Sequence, residues 1–231
     1  MKLTYLITLC AFIFPCVGQA EYNLDEDTLD YVLSTPRYAK TNITSLTYYL
    51  IKPYKNDYDK ARAIAYYIAS TVAYDEYIYN DEGRTKLRVR PQKAKDLLKS
   101  KVGICKDFAV LFEAMCQKAG IEANVIYGYA FNVDTETGRK IRNQRDLSQS
   151  GHAWNSFKYL GKKIIVDVTF MGQGRTGHEK RITEMQHKRV LNKLKRQDNM
   201  YDLTPFYFDF SYAEEKKLYG IEHVERGQNR R

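Results

Sequence analysis

Cys105 stands in the run Gly103-Ile104-Cys105-Lys106-Asp107-Phe108-Ala109, where a small-residue approach gives way to an apolar pattern. Phe108, Leu111, Phe112, Met115 and Ala119 recur at three- and four-residue steps, so the thiol falls on the first turn of an amphipathic helix that Gly120 ends. A helix start presents unpaired backbone N–H groups and a partial positive charge, which favour thiolate over thiol. Cys105 is therefore a candidate nucleophile. Such a thiol needs a base and a third group to orient that base. Of the four histidines, His152 opens a strand in Gly151-His152-Ala153-Trp154-Asn155. Asp167 follows in Ile164-Ile165-Val166-Asp167-Val168-Thr169, a carboxylate inside an apolar run. A histidine N–H would satisfy it there, the other reading being a cap or a Lys or Arg partner at the sheet edge. Closed through a loop over 158–161, the two strands set position 152 opposite position 167.

The elements that must carry these residues can be read from period and punctuation. From Asp57, an expected N-cap, Ala61, Ile64, Ala65, Ile68 and Val72 hold a helical stripe for four turns. It runs into the aromatic stretch from Tyr74 to Tyr79, with a loop expected near Asn80–Gly83. Ala94, Leu97 and Leu98 mark a short helix that breaks before the cysteine turn. The period then changes. Ala123, Val125, Tyr127, Tyr129 and Phe131 alternate as a strand, and residues 132–151 are polar and aperiodic, a mobile loop leading into His152. Two strands follow, about Ala153–Phe157 and Lys163–Val168, around a turn containing Leu160-Gly161. A basic helix over roughly Glu179–Arg196 comes next, and the aromatic run Phe206–Phe210 is either one more strand or a tail docked on the core. Residues 21–56 form a helical appendage ahead of a core at 57–170, and 171–231 form an extension packed on it. Helices before strands imply an α+β fold with a mostly antiparallel sheet.

The motifs Gly103–Ala109, Gly120-Ile121-Glu122-Ala123, His152-Ala153-Trp154-Asn155 and Asp167-Val168-Thr169-Phe170, in that order, resemble the core of the transglutaminase-like superfamily over about residues 57–170. The resemblance implies a papain-like fold with Cys105 as nucleophile, His152 as general base and acid, and Asp167 orienting His152. Members often carry a tryptophan or other donor before the cysteine to hold the oxyanion, whereas the single tryptophan here, Trp154, comes after it. The Cys105 N–H and Tyr74 are the candidate donors, plain core packing being the other role for Tyr74. The implied chemistry is attack on an amide carbonyl to give a Cys105 thioester. Water as the next acceptor makes a cysteine peptidase or amidase, and an amine makes a transglutaminase; hydrolysis is favoured because water needs no second binding site. A non-catalytic binding module on the same fold, for a protein or an envelope polymer, is the alternative. Nothing resembles the calcium sites of animal transglutaminases, and no cofactor is implied.

The remaining features bound the setting. Lys2, the apolar run from Leu3 to Val17 and Gly18-Gln19-Ala20 read as a secretory signal cleaved near Ala20, giving a secreted or periplasmic protein. No later stretch is apolar enough for stable membrane insertion. Of the four cysteines only Cys105 and Cys116 would then remain. On one helix they would lie about 16 Å apart at about 1.5 Å per residue, beyond the roughly 7 Å limit for a disulfide, and Cys116 reads as a small core hydrophobe. The net charge of +9 is spread along the chain, with dense basic stretches at Arg84–Lys101 and Lys180–Arg196. Interleaved apolar residues make these solvated helix faces rather than nucleic-acid sites, with an anionic envelope polymer as a further partner and a protein or peptide as substrate. Gly172-Gln173-Gly174-Arg175-Thr176-Gly177 has the letters of a dinucleotide fingerprint, but Asp198, the acidic residue at the required distance, ends a basic helical stretch and not the second parallel strand that such a site requires. His178 and His187 lack a surrounding ligand cluster for a metal. Asn42-Ile43-Thr44 is a glycosylation sequon that matters only in a eukaryotic host.

Overall fold

The computed structural model describes residues 25–75, 93–130, 151–172, 207–211, 213, 215 and 219–226. The expected leader, the loop before His152, the basic helix and nearly all of the glycine-rich run after Met171 lie outside the described residues.

The first three α-helices each start at a residue whose side chain accepts a first-turn N–H. Asp25 caps α1 (Glu26–Leu33) through Thr28 N, and Asn42 caps α2 (Ile43–Ile51) through Ser45 N. Helix α3 (Asp57–Thr71) is capped by Asn56, not Asp57, with Asp57 and Asp59 placed in the first turn to meet the helix dipole. The expected stripe on α3 is too narrow. Ala63, Tyr66, Tyr67, Ala69 and Ser70 are buried along with Ala61, Ile64, Ala65 and Ile68, because α1, α2 and the helix bearing Cys105 all pack around α3. Leu46 and Leu50 bring α2 into the same core.

Helix α4 (Ala94–Ser100) ends at Lys101, whose left-handed backbone (φ 55°) turns the chain into β2 (Val102–Gly103). There β2 pairs in parallel with β1 (Ala73–Tyr74), setting Tyr74 opposite Gly103. Helix α5 (Cys105–Lys118) follows at once. Its end is a Schellman turn: Gly120 takes φ +79°, Ile121 N donates to Cys116 O at 2.9 Å, and Gly120 N donates to Gln117 O at 3.2 Å.

Strands β3 (Ala123–Ala130), β4 (Gly151–Tyr159), β5 (Lys162–Val166) and β6 (Tyr219–Arg226) form one antiparallel sheet in the order β5-β4-β3-β6. One face, with Ala123, Phe157, Ile164 and Val166, joins the helical core. The other carries Ile126, Trp154 and Ile165, which cluster with Phe210. Residues 207–209 run beside β5, with Asp209 N donating to Ile165 O at 2.8 Å and Asp167 N to Tyr207 O at 2.9 Å. The aromatic run is thus a docked tail with a single antiparallel bridge, Val166 to Phe208. Helix α6 (Val168–Met171) connects the sheet back to α3. Gly172 follows it, where a Cβ would lie 2.7 Å from the Ala69 carbonyl oxygen.

The β4–β5 hairpin corrects the expected register. Its loop is the two residues Leu160 (φ 48°) and Gly161 (φ 78°), with Tyr159 paired to Lys162 and Asn155 to Val166. Positive φ at both loop residues is the two-residue turn whose twist matches the strands. The strand partners therefore move by two positions, β5 stops at Val166, and Asp167 does not sit across the ladder from His152.

Candidate active site

The approach to Cys105 is held by Asp107. Its Oδ2 accepts the Ile104 N–H at 2.9 Å, and Asp107 N and Phe108 N both donate to Ile104 O, so the helix start is fixed from both sides. Asp107 is 1% exposed; a buried carboxylate needs such donors. The carboxylate lies directly over Gly103. A Cβ at Gly103 would fall 2.8 Å from Asp107 Oδ2 and 2.6 Å from Leu97 Cδ1, which is why the approach to the thiol is made of a residue without a side chain. Cys105 and Cys116 are both free and buried, Cys116 as a member of the main core.

His152 lies opposite Gly128 on β3, and Cys105 Sγ reaches the Gly151 carbonyl oxygen at 3.9 Å. His152 Nε2 meets Asp167 Oδ2 at 2.6 Å. Asp167 makes this contact as the N-cap of α6: its Oδ1 accepts Phe170 N at 2.9 Å, leaving Oδ2 for the imidazole. At 0% exposure its charge depends on these two donors and on the backbone around it. With Nε2 turned to Asp167, Nδ1 is the ring nitrogen left for Cys105. Burial disfavours a charged imidazole, but the Asp167 charge and hydrogen bond, joined by those of Cys105, outweigh it and push the His152 pKa up to about 10.

Two aromatic rings lie nearly parallel to the imidazole, Phe170 at 4.5 Å and Trp154 at 5.9 Å. Asn155, alternating to the opposite face of β4, donates its Nδ2 to Ala109 O at 3.0 Å and to Asn124 O at 3.2 Å, linking the histidine strand to the cysteine helix. Tyr74 is half-buried at the main core, its ring tilted against Phe108 at 6.4 Å, on the strand beside Gly103. Lys106, next to the thiol, places Nζ over the Tyr127 ring at 4.9 Å.

Cys105, His152 and Asp167 are thus brought together, and Tyr74 is placed one strand away. Asp107, Asn155, Tyr207 and Glu215 support the site without having been singled out from the sequence, although Asp107 and Asn155 stood inside the motifs already noted. Among the described residues no group of three His, Cys, Asp or Glu side chains is arranged to hold a metal ion.

A thiol at a helix start, beside a histidine held by a carboxylate on an antiparallel sheet, is the site of a thiol-enzyme family. The model of the transglutaminase-like superfamily matches residues 44–168, more than half of the chain, and the chain belongs to that superfamily. The kyphoscoliosis peptidases of Homo sapiens and Mus musculus are 28% identical over 132 and 131 residues, 57% of this chain. The chain spans 18% of the length of these curated relatives. A crystal structure of a candidate cysteine protease from Cytophaga hutchinsonii is 27% identical, covers 64% of this chain and 43% of that one, and has a TM-score of 0.40. The periplasmic domain of TgpA from Pseudomonas aeruginosa is 18% identical, covers 65% of this chain and 51% of that one, with a TM-score of 0.41. No helix among the described residues is long and apolar enough to cross a membrane.

Proposed function

We propose that the protein is an exported thiol enzyme that cleaves or transfers amide bonds of a protein or peptide, with water favoured over an amine as acceptor. The observation that carries this reading is the 2.6 Å contact of His152 Nε2 with Asp167 Oδ2 beside the Cys105 thiol. His152 with its pKa raised to about 10 is protonated at neutral pH, the state that pairs with a thiolate and can give up a proton. Cys105 Sγ attacks the amide carbonyl, and the oxyanion takes the N–H of Cys105, with Tyr74 as the second donor. His152 then protonates the departing nitrogen as the C–N bond breaks, leaving a thioester and a neutral imidazole. Water loses its proton to His152 as it adds to the thioester carbonyl, and expulsion of the thiolate releases the acid and restores the starting pair. An amine in place of water gives the crosslinked product. Asp167 keeps the imidazole in one orientation throughout.

Incubating the protein and Cys105→Ala with a protein substrate and a labelled primary amine separates the outcomes. Cysteine-dependent peptide release supports hydrolysis, cysteine-dependent amine incorporation supports transfer, and neither product from the intact protein would favour the non-catalytic binding module.

A further inference from the structure

The second face of the sheet, behind His152, is closed by a segment beyond the end of the family match at residue 168. Trp154, two residues along β4 from His152, is 0% exposed, and its indole Nε1 donates to Glu215 Oε1 at 3.1 Å. Glu215 is itself 1% exposed, and its other oxygen, Oε2, takes Lys163 Nζ at 2.9 Å. A carboxylate this deeply buried would be costly without both donors. Its position has a geometric consequence. A tryptophan ring on a strand can turn about two side-chain bonds, and the Glu215 bond fixes the indole plane that lies 18° from the imidazole plane of His152. The same segment supplies the Tyr207 carbonyl to Asp167 N, and the Tyr207 ring packs 5.5 Å from Phe170, which stacks on His152.

We infer that Glu215 is a positioning residue for the reaction, holding Trp154 so that His152 stays in line between Asp167 and Cys105. This rests on the proposed roles of those three residues. Glu215 touches neither the thiol nor the imidazole; it acts through the indole. The C-terminal segment is then part of the working site and not only an extension of the core.

Three variants test this, with iodoacetamide as the thiol probe and the ring resonances of His152, assigned by their loss in His152→Gln, as a readout independent of turnover. Glu215→Ala and Trp154→Phe remove the same hydrogen bond from its two ends, while Glu215→Gln keeps an oxygen for the indole. The expected result is Cys105 alkylation at pH 7 slowed about tenfold in both of the first two, the scale of one buried hydrogen bond. Their His152 titration moves down toward the ordinary imidazole value of about 6.5, and Glu215→Gln stays close to the parent protein. If Glu215→Ala does not fold, the contrast between Trp154→Phe and Glu215→Gln decides alone. An unchanged His152 titration in a folded Trp154→Phe, or a Glu215→Gln as impaired as Trp154→Phe, overturns the inference and leaves Glu215 a packing residue. A His152 titration that responds as expected in a protein that turns over no substrate would sustain the positioning role while removing the proposed activity.

Discussion

Asn155 Nδ2 on β4 donates to Ala109 O on α5 at 3.0 Å, so the strand bearing His152 and the helix bearing Cys105 are tied by a side chain close to both. Asn155 is 0% exposed, and removing its amide takes a donor from the Ala109 and Asn124 carbonyls and unties the strand from the helix. Asn155→Ala is expected to cost about 1–3 kcal/mol and to slow Cys105 alkylation by roughly tenfold. Urea unfolding and iodoacetamide kinetics measure the two effects. Full stability with impaired labelling would make the tie purely catalytic, and the reverse would make it purely structural.

The His152–Asp167 pair predicts how stability follows pH. A histidine whose folded pKa is raised from about 6.5 to about 10 binds its proton more tightly folded than unfolded. Its contribution is therefore full below about pH 6.5 and lost as pH rises through about 10. Melting temperature measured against His152→Gln should show the parent protein's advantage shrinking between those limits. Asp167→Asn removes the charge that raises the pKa, and its melting curve should lose this alkaline dependence.

Gly103 and Gly151 flank the site and should answer differently to the same substitution. A methyl at Gly103 meets Leu97 Cδ1 at 2.6 Å and the Asp107 side chain at 2.8 and 2.9 Å, so either the leucine or the carboxylate that fixes the helix start must move. Gly103→Ala is expected to destabilise by about 1–3 kcal/mol and to slow labelling of the thiol. At Gly151 the nearest atom is Gly128 O at 3.6 Å, an ordinary contact, and Gly151→Ala should stay within about 0.5 kcal/mol in denaturant unfolding. Equal losses at both positions would contradict this account of the approach to Cys105.

The three candidate residues that meet in the fold were legible because each rests on a short-range signal: a helical period behind Cys105, a scarce histidine at a strand start, a carboxylate in an apolar run. The register was not. Gly161 marked the turn but not its length, because Leu160 adopts a positive φ that branched or bulky side chains seldom take, which hid the two-residue loop. A shift of two positions nevertheless keeps every side chain on its own face, and Asp167 still reaches His152, as the cap of α6 and not as a cross-strand neighbour. The α+β order of helices and strands followed from periodicity, whereas β6 escaped it because the alternation of Tyr219 and Ile221 with Gly220 and Glu222 is broken by a register shift between Ile221 and His223, which moves the phase by one residue. Glu215 and Tyr207 could not be linked to Trp154 and Asp167 from the sequence. Their contacts span dozens of residues, and only the folded sheet brings them together.

The two cysteines offer the last separation, between a thiol placed for chemistry and one placed for packing. Cys116 is fully buried, and burial pushes its pKa well above the ordinary thiol value, so it should stay unreactive while the protein is folded. Mass spectrometry after brief iodoacetamide treatment at pH 7 should find one alkyl group on the folded region, at Cys105, and none in Cys105→Ala. Cys116→Ala should label like the parent protein but lose about 1 kcal/mol of stability from the cavity left in the main core. Alkylation at Cys116 without denaturant would mean that α5 opens from the core on the labelling timescale, and the thiol at its first turn would then lack the fixed geometry on which the proposed chemistry depends.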